Sequence, residues 1–406
     1  MTTPISKPAN QYITGWSFRL DKIRTLRHAW RLARAHYPSF QEAWLAFRGM
    51  VQAARLNTNV RHITKGVAVD KRVYTLMGMP GRPSKPMDRV ILTELHRSRP
   101  MPNYPGGLML LLFAITKKCP LRCEHCFEWD VLNQKETLSL PDILAIIHKF
   151  QDAGVAQVEL SGGEPLHRFE DITEILRQCD TVNTDFWLLS SGYRLTLDKA
   201  LTLKSLGLRG ISISLDHWSE PEHDRFRGME GSYDWAMQAV QNARQAGLVV
   251  SLSLVPTHDF CSAENLWRYA DLARALQVHF IRILEPRAVG HYAGMPVELT
   301  DAELEVLENF VREIQHGKAY RDYPLIEFHA SYQRIVGCGG AGKRYLYVDT
   351  DGDIHACPFC RTKWGKALET DLSSTSRIGQ CPSFKADLLL SKISSAPFSP
   401  MKRKKD

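Results

Sequence analysis

The sequence predicts an α/β protein: an open, partial barrel of six βα units, with a basic helical extension before it and a smaller α+β region after it. Two observations carry this expectation. From about residue 106 to 295, short apolar runs alternate with amphipathic helical stretches, the signature of a parallel sheet with crossover helices. Segments rich in Cys, Gly, Ser and Asp directly follow those runs, where a parallel sheet gathers its reactive groups. Six units fall short of a closed eightfold barrel, so the barrel is expected to be partial.

The expected strands are 111–116, 157–160, 186–190, 210–215, 249–255 and 280–284, with helices near 140–153, 169–179, 197–206, 232–246 and 262–276. Three regions follow: 1–105, 106–295 and 296–406. In the first, Ile23, Leu26, Trp30, Ala33 and Tyr37 recur at helical spacing among Lys22, Arg24, Arg27, Arg31 and Arg34. Ser39 and Glu42 read as a capping box opening a second helix, with Phe40, Trp44, Phe47 and Val51 on one face. This is read as a helical layer packed on the main body, a basic amphipathic helix resting on membrane being the alternative. Six prolines between Pro80 and Pro105 suggest a linker or extended strap. The last region holds an acidic helix over 300–314 and two short strands around 345–348 and 353–355.

With 406 residues, 44% hydrophobic and 24% charged, the composition is that of a globular chain with a large core. No apolar run approaches the ~20 residues needed to span a bilayer, and Met1-Thr2-Thr3-Pro4 opens no apolar signal segment. A cytoplasmic protein is expected. The net charge is +8 and the pI near 9.0. Much of the excess lies in about the first 60 residues and in the tail Lys402-Arg403-Lys404-Lys405, a solvated end that identifies no partner. Nucleic acid is not an expected partner.

Of nine cysteines, seven fall in two groups, which in a reducing compartment favours metal binding over disulfides. The first group, Cys119-Pro120-Leu121-Arg122-Cys123-Glu124-His125-Cys126, directly follows the first strand. Three thiolates so spaced can hold one face of an iron–sulfur cube, leaving its fourth iron open to a ligand; a zinc site is the other reading. After the second strand stands Ser161-Gly162-Gly163-Glu164-Pro165. There, glycines let backbone approach closely, and a carboxylate can receive an ammonium group. Cys179 and Cys261 stand alone and are expected in the core.

Together these segments resemble the radical S-adenosylmethionine (SAM) superfamily, whose signature is Cx3Cx2C on the loop after the first barrel strand. The resemblance runs from about residue 110 to 290. It implies a partial (β/α)6 radical SAM barrel, and Cys119, Cys123 and Cys126 as ligands of a [4Fe-4S] cluster on which SAM binds. His125 replaces the hydrophobic or aromatic residue usual there and is expected against adenine. Gly162, Gly163 and Glu164 are expected at the methionine amino group. Ser190, in Ser190-Ser191-Gly192 where relatives often have Thr-Asn-Gly, is expected among the cofactor-binding residues, and Ser214, in Ser212-Ile213-Ser214-Leu215-Asp216, near the methionine or ribose. Leu284 and Arg287, in the segment ending at Gly290, are expected beside the adenine. His223-Asp224-Arg225-Phe226-Arg227-Gly228 is similar to a stretch of the branch with extra clusters, read either as cavity lining or as a surface helix.

The second group is Cys338, Cys357, Cys360 and Cys381; Cys338-x13-Gly352-x4-Cys357 resembles the opening of SPASM and twitch domains. Four cysteines, not the seven of a full SPASM domain, imply one auxiliary [4Fe-4S] cluster in a small cluster-binding domain, with zinc as the rival. The implied chemistry is reductive cleavage of SAM to a 5′-deoxyadenosyl radical that abstracts substrate hydrogen, with an electron donor such as flavodoxin or ferredoxin. The substrate is a ribosomally made peptide or, alternatively, a small metabolite that is oxidised or rearranged; a non-catalytic iron–sulfur sensor is the third reading.

Overall fold

The computed structural model describes residues 11–56, 63–102, 104, 106–330, 333, 338 and 340–372. Cys381 and the basic tail lie outside the described residues.

The chain opens with β1 (Gln11–Thr14), α1 (Gly15–His36) and α2 (Phe40–Leu56), then the hairpin β2 (Lys65–Val69) and β3 (Arg72–Tyr74), then α3 (Lys85–Ser98). The expected barrel begins with β4 (Leu110–Ala114), α4 (Leu140–Asp152), β5 (Gln157–Ser161), α5 (Phe169–Gln178), β6 (Asp185–Ser190), α6 (Leu197–Ser205) and β7 (Leu208–Ser214). After these come α7 (Glu220–Arg227), α8 (Ser232–Gln245), β8 (Val249–Leu254), α9 (Ala263–Ala275) and β9 (Phe280–Ile283). The chain continues through α10 (Asp301–His316), β10 (Leu325–Glu327), β11 (Tyr345–Val348) and β12 (Ile354–His355).

All expected barrel strands and helices form, within one or two residues of their expected ends. The sheet grows to nine strands in the order β10-β9-β8-β7-β6-β5-β4-β11-β12, because β10 pairs with β9 and β11 with β4, both parallel. Its curvature can be read from a single contact. In a flat sheet β5 and β9 would lie four strand spacings apart, about 19 Å. Yet Arg282 Nη1 on β9 sits 3.3 Å from Glu159 Oε2 on β5. The sheet therefore curls into a barrel whose inner face carries Glu159, Arg282 and Glu327. Helices cover the outer face, burying Leu111, Phe113, Val158, Leu160, Phe186 and Ile211 in the main core, to which Cys179 and Cys261 also belong.

The mouth at the N-terminal ends of the strands is closed by a three-stranded sheet, β1-β2-β3, that the sequence reading did not anticipate. Val67, Tyr74 and Met77 pack there on Trp187, Val249, Phe280 and Leu325. Arg72 Nη1 donates to Asp185 Oδ1 at 2.9 Å, and Gln157 Nε2 to the Met77 carbonyl at 3.1 Å. Lys65 Nζ donates to the carbonyls of Tyr320 and Tyr323, and burial lowers its pKa to about 8.

Two expectations for the first region need correction. Residues 80–105 are not an extended strap throughout, because α3 forms within them: Ser84 accepts from Met87 N at 3.2 Å, and Pro86 sits in the first turn, where its missing N–H is no loss. The expected apolar faces of α1 and α2 also do not all point inward. Ala33 and Tyr37 are buried, but Ile23 and Leu26 are 45% and 43% exposed and Phe40 and Trp44 are 63% and 47% exposed. The contact with α3 is made through Ala29, Ala33, Ala43 and Ala46, small residues that let helices approach closely. No helix among the described residues is long and apolar enough to cross a membrane.

Tyr74 is 2% exposed at the centre of the closed mouth. Tyr74→Ala is expected to lower the unfolding free energy by about 3–5 kcal/mol, as measured by urea denaturation.

Candidate active site

The cysteine loop leaves β4 at the C-terminal end of the barrel and is held from four directions. From β5, Gly163 N donates to Thr116 O and Glu164 N to Lys118 O, both at 2.7 Å. A Cβ at Gly162 would fall 2.5 Å from Thr116 O, and one at Gly163 would fall 2.4 Å from Lys118 O and 3.1 Å from Cys119 Cβ. Gly162 also has φ +132, a conformation that side chains avoid. The two glycines therefore seat the cysteine loop itself. Asn133 brackets Cys119, its Oδ1 accepting from Cys119 N at 3.1 Å and its Nδ2 donating to Cys119 O at 3.0 Å.

From the end of α7, the carbonyls of Arg227 and Phe226 accept from Arg122 N and Glu124 N, each at 3.0 Å. After β9, His291 N donates to Cys126 O at 2.9 Å, and a Cβ at Gly290 would lie 2.3 Å from that same oxygen. The Gly290 segment, expected along the adenine, thus packs on the cysteine loop. His291 stacks on Trp129 at 3.8 Å.

The three thiols of this loop feel one another. Burial pushes Cys119 and Cys126 up to about 12, the neighbouring sulfurs adding to the effect. Burial also raises Cys123, but there Arg227 opposes it. Arg227 is buried, donates from Nη1 to Cys123 Sγ at 3.5 Å, and forms an ion pair through Nη2 with Asp216 Oδ2. Asp216 Oδ1 accepts from Val255 N at 2.9 Å, and Asp216 N donates to His223 Nδ1 at 3.1 Å. Burial works to raise the Asp216 pKa, yet Arg227 and the nearby histidines hold it below the ordinary value. His125 stacks on Phe226 at 5.0 Å, and burial lowers its pKa to about 4. The 223–228 segment thus divides. Arg225 makes surface ion pairs with Glu222 and Glu124, while His223, Phe226 and Arg227 turn inward onto the cysteine loop.

Glu164 is 1% exposed, and both its oxygens are occupied. Oε1 accepts from Ser190 Oγ at 2.7 Å and Leu166 N at 3.0 Å; Oε2 accepts from Ser191 N at 2.7 Å and Ser191 Oγ at 2.5 Å. Burial still raises its pKa against these four bonds. The structure thus brings Glu164 and Ser190 together, with the carboxylate already satisfied. Ser214 ends β7 half-exposed, its hydroxyl without a partner among the described residues. Leu284 is held through its backbone N to Leu254 O at 2.9 Å, and Arg287 pairs with Glu285 at 3.1 Å.

The described part of the second cysteine group lies near the first. Cys338 Sγ accepts from Ala341 N at 3.5 Å, Gly342 N donates to Ala356 O at 3.2 Å, and Cys360 N donates to Cys357 O at 3.1 Å. Phe359 meets Phe127 edge-to-face at 6.1 Å, so the Cys357–Cys360 turn lies beside Cys126. Among the described residues no three His, Cys, Asp or Glu side chains are arranged to hold a single metal ion.

Residues 113–273 match the radical SAM superfamily, so this part of the chain is a radical SAM domain. Among curated relatives, a PqqA peptide cyclase of Methylocella silvestris is 28% identical over 62% of this chain and 68% of its own length. An AdoMet-dependent heme synthase of Oleidesulfovibrio alaskensis is 28% identical over 64% of this chain and 72% of its own. In fold, the chain is similar to Streptococcus suis SuiB bound to its precursor peptide SuiA, with a TM-score of 0.55, 16% identity and coverage of 83% of this chain and 78% of that one. It is likewise similar to anSMEcpe with bound AdoMet, with a TM-score of 0.53, 16% identity and coverage of 68% and 82%.

Asn133, Asp216, Phe226, Arg227 and His291 are site residues that sequence reasoning missed. The 223–228 segment was the available signal for two of them, since a helix carrying both outward and inward charges betrays its buried side only in three dimensions.

Glu164→Ala strands two hydroxyls and two N–H groups in a buried position. It is expected to lower the unfolding free energy by about 2–4 kcal/mol in urea denaturation, and Glu164→Gln, which keeps one acceptor oxygen, by less.

Proposed function

We propose that this enzyme cleaves SAM reductively on a [4Fe-4S] cluster held by Cys119, Cys123 and Cys126, and uses the resulting radical to modify a peptide. The observation that carries the proposal is the guanidinium of Arg227 directed at the Cys123 sulfur inside a loop of three adjoining thiols. A buried cation donating to sulfur suits a thiolate bound to iron better than a neutral thiol. When bound, cluster and SAM would supply a 5′-deoxyadenosyl radical that takes hydrogen from a C–H bond, methionine leaving after one-electron reduction by an external donor such as flavodoxin or ferredoxin.

The chain's own residues would bind, orient and exclude water. Gly162 and Gly163 keep the cysteine loop against the sheet, His125 offers a ring at the loop's inner side, and Ser214 offers a half-exposed hydroxyl. An ammonium at Glu164 would share or displace the Ser190 and Ser191 hydroxyls. Ser212 Oγ, buried without a hydrogen-bond partner among the described residues, adds a polar atom to the barrel interior.

The PqqA peptide cyclase relatives and the SuiB likeness support a peptide substrate. The heme synthase relative, at equal identity, favours the second reading, oxidation or rearrangement of a small metabolite. Cys338, Cys357 and Cys360 would join Cys381 in an auxiliary [4Fe-4S] cluster that receives an electron from the substrate or anchors it.

Anaerobically reconstituted protein with dithionite and SAM is expected to release 5′-deoxyadenosine, and the Cys119→Ala, Cys123→Ala, Cys126→Ala triple variant to release none; turnover in that variant would sink the proposal. Iron analysis of the wild type is expected to give about eight irons, whereas about four irons with one zinc would make the second group a structural staple. Loss of hydrogen from a small peptide encoded beside the gene, read by mass spectrometry, would decide for the peptide. Removing a hydrogen bond to a cluster sulfur lowers its potential. Arg227→Met is therefore expected to load iron but shift the reduction potential negative by about 60 mV or more, one decade of a one-electron equilibrium, in an EPR-monitored titration.

A further inference from the structure

The buried and exposed faces of α1 and α2 are reversed relative to an ordinary amphipathic pair. Their most buried positions are mainly alanines, Ala29, Ala33, Ala43 and Ala46, beside Phe18 and Tyr37. Six of their large apolar side chains point outward: Trp16 is 76% exposed, Phe40 63%, and Leu20, Ile23, Leu26 and Trp44 between 43% and 50%. Trp16, Leu20 and Ile23 form one stripe at helical spacing, continued by Trp30, whose ring meets Phe40 at 5.5 Å and Trp44 at 5.9 Å. The two helices therefore present one continuous apolar surface, of the kind that marks an interaction site.

Basic side chains are interleaved with it. Arg19 lies over the Trp16 ring at 5.2 Å and Arg34 over Phe40 at 5.3 Å. Arg24, Arg27, Arg31 and Arg48 are exposed on the same helices, and none of these six forms an ion pair among the described residues. The acidic residues of the pair are drawn away, Asp21 to Arg82 at 2.5 Å and Glu42 to Arg99 at 3.2 Å.

We infer that the α1–α2 face binds peripherally to an anionic lipid surface, with α1, about 33 Å long, lying in the headgroup plane. Tryptophans and aliphatic side chains enter the acyl boundary while arginines meet the headgroups, the arrangement by which a helix lies on a membrane without crossing it. The charge excludes a second copy of this chain, since the two faces would repel. Nucleic acid would satisfy the arginines but leave Leu20, Ile23 and Leu26 in water, because aliphatic side chains offer no ring for base stacking.

The test is sedimentation of the full-length protein with vesicles of phosphatidylcholine alone or mixed with phosphatidylglycerol. Binding is expected only to the anionic vesicles and to weaken with added salt. Arg24→Gln, Arg27→Gln and Arg31→Gln together are expected to reduce partitioning on the order of a hundredfold, from about fivefold for each charge near the surface. Trp16→Ala with Leu20→Ala, at exposed positions that carry no core contact, is expected to reduce it independently. Each variant is compared at an unchanged urea midpoint. Equal binding to neutral vesicles, partitioning unmoved by both variant sets, or capture of a polyglutamate peptide without vesicle binding would each overturn the inference.

Discussion

Two backbone hydrogen bonds, from Gly163 to Thr116 and from Glu164 to Lys118, tie the second strand's exit to the first strand's exit. Everything at the C-terminal end of the barrel depends on that tie. The cysteine loop has no regular secondary structure of its own, so its shape must be supplied by neighbours. The strands deliver those neighbours at fixed registers: β5 pairs with β4 from Leu110↔Gln157 to Ala114↔Ser161, which brings Gly162 and Gly163 level with Thr116 and Lys118. Only a residue without Cβ fits at either position. The glycines that look like a ligand cradle in sequence serve first as the seat on which three sulfurs are arranged.

A second constraint is electrostatic. Arg227 and Asp216 bring a full ion pair into the protein interior, where desolvation is costly and attraction alone seldom compensates. The cost is offset by further bonds: Asp216 accepts from Val255, its N–H reaches His223, and Arg227 reaches Cys123. The network spans the exits of β7 and β8, the end of α7 and the cysteine loop. A charge network of this kind favours one arrangement of those four segments over slightly shifted ones, which is what a site of fixed geometry requires.

The barrel was legible because its signal is local and repeated. Each strand is a short apolar run, and α4, α6 and α9 open on side-chain caps at Ser139, Thr196 and Ser262. The cysteine, glycine and serine segments were legible because they follow strands. What escaped was set by distant partners. The strands β1, β2 and β3 carry ordinary residues whose pairing depends on one another, and β10 and β11 are too short to announce which sheet they join. The faces of α1 and α2 were misjudged for a clear physical reason: periodicity reports that one side is apolar, not which side the protein covers. The saturation of Glu164 by Ser190 and Ser191 likewise depends on two strands meeting, and a single motif does not carry it.

The hairpin that seals the lower mouth also bears on how the molecule is made. Lys65 reaches the carbonyl of Tyr323, 258 residues later in the chain, and Arg72 reaches Asp185, 113 residues later. During synthesis the hairpin is therefore made before the strands it covers, and its seat is complete only once they have been translated. Until then Tyr74 and Met77 have no apolar surroundings, and the unfinished barrel stays open from below. The base of this barrel is thus made before the walls it seals, and its contacts can be completed only after them.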